Sequence, residues 1–225
     1  MGMDDRACLR DGAARMGIVL TPAQETSLLH YLALLLKWNK VYNLISRRAN
    51  DNLLALHLLD SLSVLPYING PSVVDVGSGA GLPGIPLAIM CPDCHFTLLD
   101  SNSKKGGFRT QAAIELGLKN ITVISARAEE FRPEQGFGQV ISRAFATITD
   151  MLAVAGHLAT PNGRFLAMKG LYPHDELAEL AELAKTAPIY RLDTVHELKV
   201  PDLGAERHLA IVARSRIDCE QINSD

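Results

Sequence analysis

A chain of 225 residues with 48% hydrophobic side chains can bury a core without disulfide or metal staples, which excludes a disordered or disulfide-scaffolded protein. Its formal charge of -3, from 22 basic and 25 acidic residues, excludes a molecule that grips polyanions through its overall charge; such a partner must meet a local patch. Cys8, Cys91, Cys94 and Cys219 are too few and too scattered for a disulfide framework. "CPDC" has metal-like spacing, but no second pair stands at a zinc-site interval, so no metal site is predicted.

The first residues, "MGMDDRACLR", are charged and lack the apolar centre of a signal peptide. The longest apolar run, near "LLHYLALLLKW", falls well short of the roughly 20 residues that span a bilayer. A soluble, cytoplasmic protein with no membrane partner is expected.

The first seventy residues carry helical rather than strand periodicity. Thr21, Pro22 and Gln24 stand as N-cap, first and third positions of a helix. Leu28, Tyr31, Leu35, Trp38 and Tyr42 then step by three or four residues along one apolar face, with Lys37, Asn39, Lys40 and Asn43 on its other flank. A second helix is expected from near Asp51 to before Pro66. Residues 1–70 thus read as a helical cap packed on a main domain over 71–216, with 217–225 as a disordered tail.

From residue 72 the texture changes to short β-rich runs between helical stretches: "SVVDVG", "HFTLLD", "ITVIS", "QVISRAF" and "GRFLAMKG". This alternation predicts an α/β fold, a parallel sheet with helices on both faces. "IYRLDTVHELKVP" and "RHLAIVAR" have no helix-length insert between them and predict an antiparallel hairpin closing the sheet edge.

"VVDVGSGAGLPG", residues 73–84, joins the first strand to the next helix. Glycine serves a sharp strand-to-helix turn and lets a ligand approach bare backbone amides. No Gly-Lys-Ser/Thr follows, so a triphosphate loop is excluded. Gly79, Gly81 and Gly84 satisfy G-x-G-x-x-G, which keeps a dinucleotide open. Three features favour S-adenosylmethionine: Asp75 in the strand, placed to hold a cationic or amino-bearing ligand; Pro83 and Pro86 where a dinucleotide-binding helix needs its first turns; and the terminal hairpin. Asp100 closes the second strand, where an acid accepts hydrogen bonds from ribose hydroxyls in either case.

"WNKVYNLIS", "HLLDS", "DVGSGAGLPGIPLA", "FTLLDSNSKK", "ISRAFA", "LAMKG" and "ERHLAIV", in this order, resemble the bacterial glucose-inhibited division protein B family of 16S ribosomal RNA guanine-N7 methyltransferases, from about Leu20 to Arg214. The resemblance implies a class I S-adenosylmethionine-dependent methyltransferase fold, Rossmann-like, mostly parallel with an antiparallel C-terminal hairpin and an N-terminal helical cap. It implies a cofactor site on Gly77 and Leu82 of the loop, Ala128 and Glu129 after the third strand, and Arg143 at the end of the fourth, with Asp100 on the ribose. Asp75, Ser78, Gly79, Gly81 and Ser101 complete that candidate set. The implied partner is 16S ribosomal RNA, naked or in the small ribosomal subunit or an assembly intermediate. The modest charge leans toward an assembled particle, and a monomer is expected because the apolar stripes are accounted for by cap and sheet.

Two departures stand out. "KKGGFR" replaces a bulky basic run, and its adjacent Gly106 and Gly107 cost a helix about 2 kcal/mol relative to alanines, which predicts a late or loose start. Gly138 replaces an acid before "VISRAF".

For the acceptor, Arg143 is the candidate catalytic residue, contacting the cofactor or the guanine O6 and phosphate region; the competing reading is a salt bridge to Glu129 or another rim acid. Arg47 with Arg48, Lys104 with Lys105, Lys169, and Arg207 with His208 are candidate RNA contacts. Asn39, Lys40 and Asn43, with His57 and Asp60, either extend that surface or form a network tying cap to sheet; His57 and Asp60, one turn apart, can also pair with each other. Against an RNA methyltransferase stand three readings: a methyltransferase with a protein or small-molecule acceptor, a non-catalytic RNA-binding or assembly factor, and an NAD-dependent oxidoreductase.

Overall fold

In the computed structural model, which describes residues 3–45, 52–186 and 189–214, the capping box at Thr21 forms. Thr21 Oγ1 accepts from the Gln24 N–H at 3.2 Å and Gln24 Oε1 accepts from the Thr21 N–H at 2.9 Å. They start α2, Pro22–Tyr42, which follows α1, Met3–Arg15. Glu25 of α2 joins the two helices by accepting from Arg10 at 2.6 and 2.8 Å and from Arg6 at 3.2 Å. Leu28, Tyr31 and Leu35 of the apolar face are fully buried, whereas Tyr42 at its end is exposed and stacks on Trp38 at 5.2 Å.

The second cap helix is shorter than expected and irregular. It opens as a π-helical stretch, Leu54–Leu59, and continues as one α-helical turn, α3, Asp60–Leu62. The Asp60 N–H donates to the Ala55 carbonyl, five residues back. Ser61 Oγ donates to the His57 carbonyl at 2.6 Å and Ser63 Oγ to the Asp60 carbonyl at 2.7 Å, so short hydroxyl side chains serve carbonyls of the widened segment.

The main sheet has seven strands: β1 Ser72–Val76, β2 His95–Leu99, β3 Ile121–Ile124, β4 Phe137–Ser142, β5 Ala159–Lys169, β6 Tyr190–Glu197 and β7 His208–Arg214. Their order is β3-β2-β1-β4-β5-β7-β6. The first five run parallel, and β7 lies antiparallel to both β5 and β6, the hairpin expected from the sequence. Strand alternation divides the core into two layers. Val73, Phe96, Leu98, Ile141, Leu166 and Leu209 face α1, α2, the π-helical segment, α4 (Gly84–Met90) and α5 (Ser103–Glu115). Val74, Val76, Leu99, Val140, Phe165 and Val212 face α6 (Ile148–Ala155) and α7 (His174–Thr186). The cap shares the first of these cores with the sheet.

Both departures fit locally. α5 starts at Ser103 on an Asn102 N-cap, whose Oδ1 accepts from the Lys105 N–H, and runs through both glycines, so the expected late start does not occur. Gly106 is buried where a Cβ would meet Ser125 Oγ, and Gly107 faces open space. A Cβ at Gly138 would make ordinary contact with the Ser72 carbonyl at 3.6 Å. Arg47, Arg48, Asp51, Cys219 and the 217–225 tail lie outside the described residues. Among the described residues, no helix is long and apolar enough to cross a membrane.

A polar bond joins the cap to the glycine-rich loop after β1: fully buried Tyr31 donates from Oη to the Ala80 carbonyl at 2.9 Å. Tyr31→Phe leaves that carbonyl without its partner in a dry setting, a cost of about 1–3 kcal/mol. Urea denaturation of the variant is expected to show a lower midpoint at unchanged slope; an unchanged midpoint contradicts the bond's role.

Candidate functional site

After Val76 the chain reverses through Gly77, Gly79 and Gly81, with φ of 70, 54 and 89°. At Gly77 the conformation and the space both require glycine, since a Cβ would lie 2.5 Å from the Ala144 Cβ of the neighbouring strand end. The Gly77 and Ser78 N–H groups donate to the Leu99 carbonyl at 2.8 and 3.2 Å, which anchors the loop to β2.

Side chains from four elements then fix its peptide groups. Asp100 Oδ2 accepts from the Gly79 N–H at 2.8 Å, and Arg109 Nη1 on α5 donates to the Gly79 carbonyl at 2.7 Å. Tyr31 on α2 holds the Ala80 carbonyl, and Asp75 Oδ2 in β1 accepts from the Gly84 N–H at 2.9 Å. Pro83 precedes α4 and Pro86 sits within its first turn, where a missing N–H is tolerated.

Arg109 was not singled out by sequence reasoning. It is fully buried, and Nε and Nη2 have no hydrogen-bond partner. Burial pushes its guanidinium below the usual arginine range while Asp100 and Asp75 pull it back up. The available signal was its helical spacing: Arg109 lies beside Phe108 and three residues before Ala112, on the buried face of α5. Tyr31 had been counted only as part of an apolar stripe.

Two cavities open at the carboxyl ends of the strands, where open α/β sheets bind ligands. The smaller, about 200 Å³, is lined by Gly77, Asp100, Ser101, Ala128, Glu129, Ala144 and neighbours that include Arg127. The larger, about 480 Å³, lies under the cap between Ile45, Leu56, His57, Asp60, Arg143, Met168, Lys169, Gly170 and Arg207. Arg143 and Ala144 are consecutive, so one short segment after β4 borders both cavities.

Five of the predicted cofactor positions therefore meet in the smaller cavity: Gly77, Asp100, Ser101, Ala128 and Glu129. Gly79 and Gly81 shape the loop, while Ser78 and Leu82 are buried beneath it. Asp75 is also fully buried and is not among the cavity's lining residues. Its Oδ2 takes the Gly84 N–H at the start of α4 while Oδ1 has no hydrogen-bond partner, so the strand acid fastens the loop from below. The cradle suits a nucleoside with a small substituent: bare backbone at Gly77 that a Cβ would fill, an acid at the β2 tip, and a partnerless buried Ser78 Oγ in the turn.

Arg143 faces the larger cavity and bonds Asp60 Oδ2 through Nη1 at 2.8 Å, so its rim-acid partner is Asp60 and not Glu129. Asp60 Oδ1 accepts from Arg207 Nε at 2.8 Å, so both carboxylate oxygens are held by arginine. Of the readings the sequence left open for Asp60, these bonds fit the network that ties cap to sheet.

Several proposed RNA contacts turn inward. Lys169 is buried, with Nζ 2.7 Å from Glu176 and donating to the Ala146 and Phe145 carbonyls at 2.8 and 3.3 Å. His208 bonds the Gly170 carbonyl through Nδ1 at 2.9 Å and packs edge-on against Tyr172. Asn39 is buried, its Oδ1 accepting from the Ile45 N–H at 2.9 Å as the chain leaves α2. Lys40 and Lys104 are exposed. Among the described residues, no group of three or more His, Cys, Asp or Glu is placed to hold a metal ion.

The GidB family, described as rRNA small subunit methyltransferase G, matches residues 24–210. The chain belongs to this family. It is 50% identical to the ribosomal RNA small subunit methyltransferase G of Aromatoleum aromaticum over 93% of this chain and 99% of the relative. The protein of the same name from Pseudomonas syringae pv. syringae is 49% identical over 92% and 94%. Among solved structures, magnesium protoporphyrin IX methyltransferase from Synechocystis PCC 6803 with bound SAM superposes with a TM-score of 0.58 at 17% identity, over 95% of this chain and 99% of that one. A SAM-dependent methyltransferase from Aquifex aeolicus gives 0.55 at 18% identity, over 73% and 94%. The GidB match covers both halves of the site, from the cap helix α2 to β7.

Two measurements test this construction. Gly77→Ala forces a side chain into positive φ, about 1–2 kcal/mol of strain, and against Ala144. Calorimetry with S-adenosylhomocysteine is expected to show at least about a tenfold loss of affinity, and an unchanged affinity removes Gly77 from the cradle.

Burial pushes the Asp75 carboxyl up to about 7, with the Gly84 N–H, Arg143 and Arg109 opposing the rise. Unfolded Asp titrates near 3.9, so the folded state holds this proton over a range where the unfolded chain has lost it. The group's favourable contribution is full below about pH 4 and is lost as pH rises through about 7. Asp75→Asn keeps an acceptor for Gly84 without the titration. Its stability relative to the parent should improve between about pH 4 and pH 8 in urea denaturation; a pH-independent difference contradicts the buried proton.

Proposed function

We propose that this chain transfers a methyl group from S-adenosylmethionine to N7 of a guanine in 16S ribosomal RNA. The observation that carries the reading is the pairing of two cavities across Arg143 and Ala144, one a nucleoside cradle and the other lined by cations under the cap, in a chain of the GidB family. S-adenosylmethionine supplies an electrophilic methyl group on a sulfonium. In the reading, Gly77, Asp100, Ser101, Ala128 and Glu129 hold it, Asp100 on the ribose.

Guanine N7 carries an in-plane lone pair and no proton, so attack needs no general base. The chain's task is then to orient and to exclude water, a contribution of up to about 7–11 kcal/mol in favourable cases. Arg143 lines the acceptor cavity, and in the reading its guanidinium serves guanine O6 or a flanking phosphate. The cap supplies the roof of the acceptor cavity through Ile45, Leu56 and His57. Leu28, Tyr31 and Leu35 of α2 and the central strands are covered within the chain, which supports a monomer; the reading places it in the cytoplasm with the small subunit or an assembly intermediate as its partner.

The test is transfer of labelled methyl to small subunits lacking the modification and to naked 16S RNA, followed by mapping of the labelled base. Label at one guanine N7 is expected, with transfer falling steeply between about 50 and 200 mM salt. Label on protein, or none despite cofactor binding, overturns the reading.

A further inference from the structure

The larger cavity contains an arrangement that neither the family membership nor the reaction requires: a fully buried carboxylate shared by two arginines from distant parts of the chain. Asp60 lies on the cap, Arg143 follows β4, and Arg207 precedes β7. Each arginine approaches one oxygen at 2.8 Å, and the Asp60 side chain is 1% exposed while those of Arg143 and Arg207 are 30% and 19% exposed. We propose that Asp60 is a positioning residue for methyl transfer, holding Arg143 and Arg207 in fixed orientations at the acceptor cavity; this rests on the methyltransferase reading above.

A guanidinium has five N–H donors in a rigid fork. Arg143 uses Nη1 on Asp60, with a longer 3.5 Å contact to the Leu56 carbonyl. Arg207 uses Nε on Asp60 and Nη1 on the Glu206 carbonyl. Each fork keeps further donors for acceptor oxygens of a nucleotide, and the bond to Asp60 fixes where they point. An unheld arginine keeps its rotamer freedom, which a substrate would have to remove.

The backbone of the cap is shaped for this contact. Asp60 is the first residue after the π-helical stretch, and its own N–H closes that stretch on Ala55. A widened turn rotates the residues that follow it relative to a regular helix, and such insertions are frequent at functional sites. The π-helical segment therefore sets the face from which Asp60 meets the two arginines.

The sign of the effect separates positioning from charge. Asp60→Asn removes a negative charge from the cavity and leaves both arginines, so RNA attraction is kept or increased while orientation is lost. The experiment is steady-state methylation of small subunits by the full chain and by Asp60→Asn, with the number of S-adenosylhomocysteine sites titrated on each preparation as a measure of folded protein. Expected is a fall in kcat per binding site of about 10- to 100-fold, with KM for the subunit unchanged or lower. An unchanged kcat per site overturns the proposal, and so does a rise in KM with kcat retained, which indicates simple RNA contact. If Asp60→Asn does not fold, Asp60→Glu keeps the charge on a longer arm; a lowered kcat per site supports positioning and parental kcat refutes it. Failure of the parent chain itself to label guanine N7 refutes the underlying reaction instead, and with it this role.

Discussion

The glycine loop between β1 and α4 is the constraint on which the site depends, because a chain with three positive φ angles in five residues has little rigidity of its own. The fold supplies it from outside. Asp100 and Arg109 grip the two ends of the Gly79 residue, Tyr31 takes the next carbonyl, and Asp75 takes the first N–H of α4. These side chains come from β2, α5, α2 and β1, so the loop conformation is a property of the packed domain and not of the loop sequence. The cap enters this list through Tyr31, which makes it part of the cradle's support as well as the roof of the neighbouring cavity.

Charge is distributed by the same logic. One buried acid, Asp75, a half-buried one, Asp100, and a fully buried arginine sit close around the loop, and a further acid, Asp60, is buried between two more arginines. Buried charges of this kind are costly alone and are retained where each has a partner of opposite sign or a backbone group. Asp75 has the thinnest compensation, one N–H on one oxygen, and burial pushes its carboxyl up to about 7. Asp100 keeps both oxygens engaged with backbone N–H groups, of Gly79 and Asn102, and still borders the cavity.

Much of this was legible in the sequence because the signals were local. Thr21-Pro22-x-Gln24 gives a capping box, short apolar runs between helical stretches give a parallel sheet, and the absence of a helix-length insert after residue 190 gives the hairpin. The loop glycines and Asp100 were legible for the same reason, since turn geometry and strand ends are properties of a few consecutive residues. What sequence reading lacked is direction. Asp75 was read as facing a ligand, but β-strand alternation puts it on the layer of Val73, under α4, where the Gly84 N–H meets it. Arg109 and the arginine partners of Asp60 were opaque because the paired groups stand 30, 83 and 147 residues apart, at distances that only the assembled sheet sets. The π-helical stretch carries no Gly or Pro to announce it.

The same inward turn changes what these basic residues do. Lys169, Arg207 and His208 were candidates for gripping RNA phosphates, yet each is engaged with protein acceptors, and Arg143 is tied to Asp60. Cations committed in this way contribute little to counterion release, whose effect on affinity scales with the number of phosphates neutralised. They contribute shape and oriented donors instead. In the proposed reading, a site built so discriminates the groups around one base, and attraction to a long polyanion is left to exposed residues such as Lys40 and Lys104. The net charge of -3 is consistent with that division, because a chain that recognises a base by held arginines has less need of a positive surface.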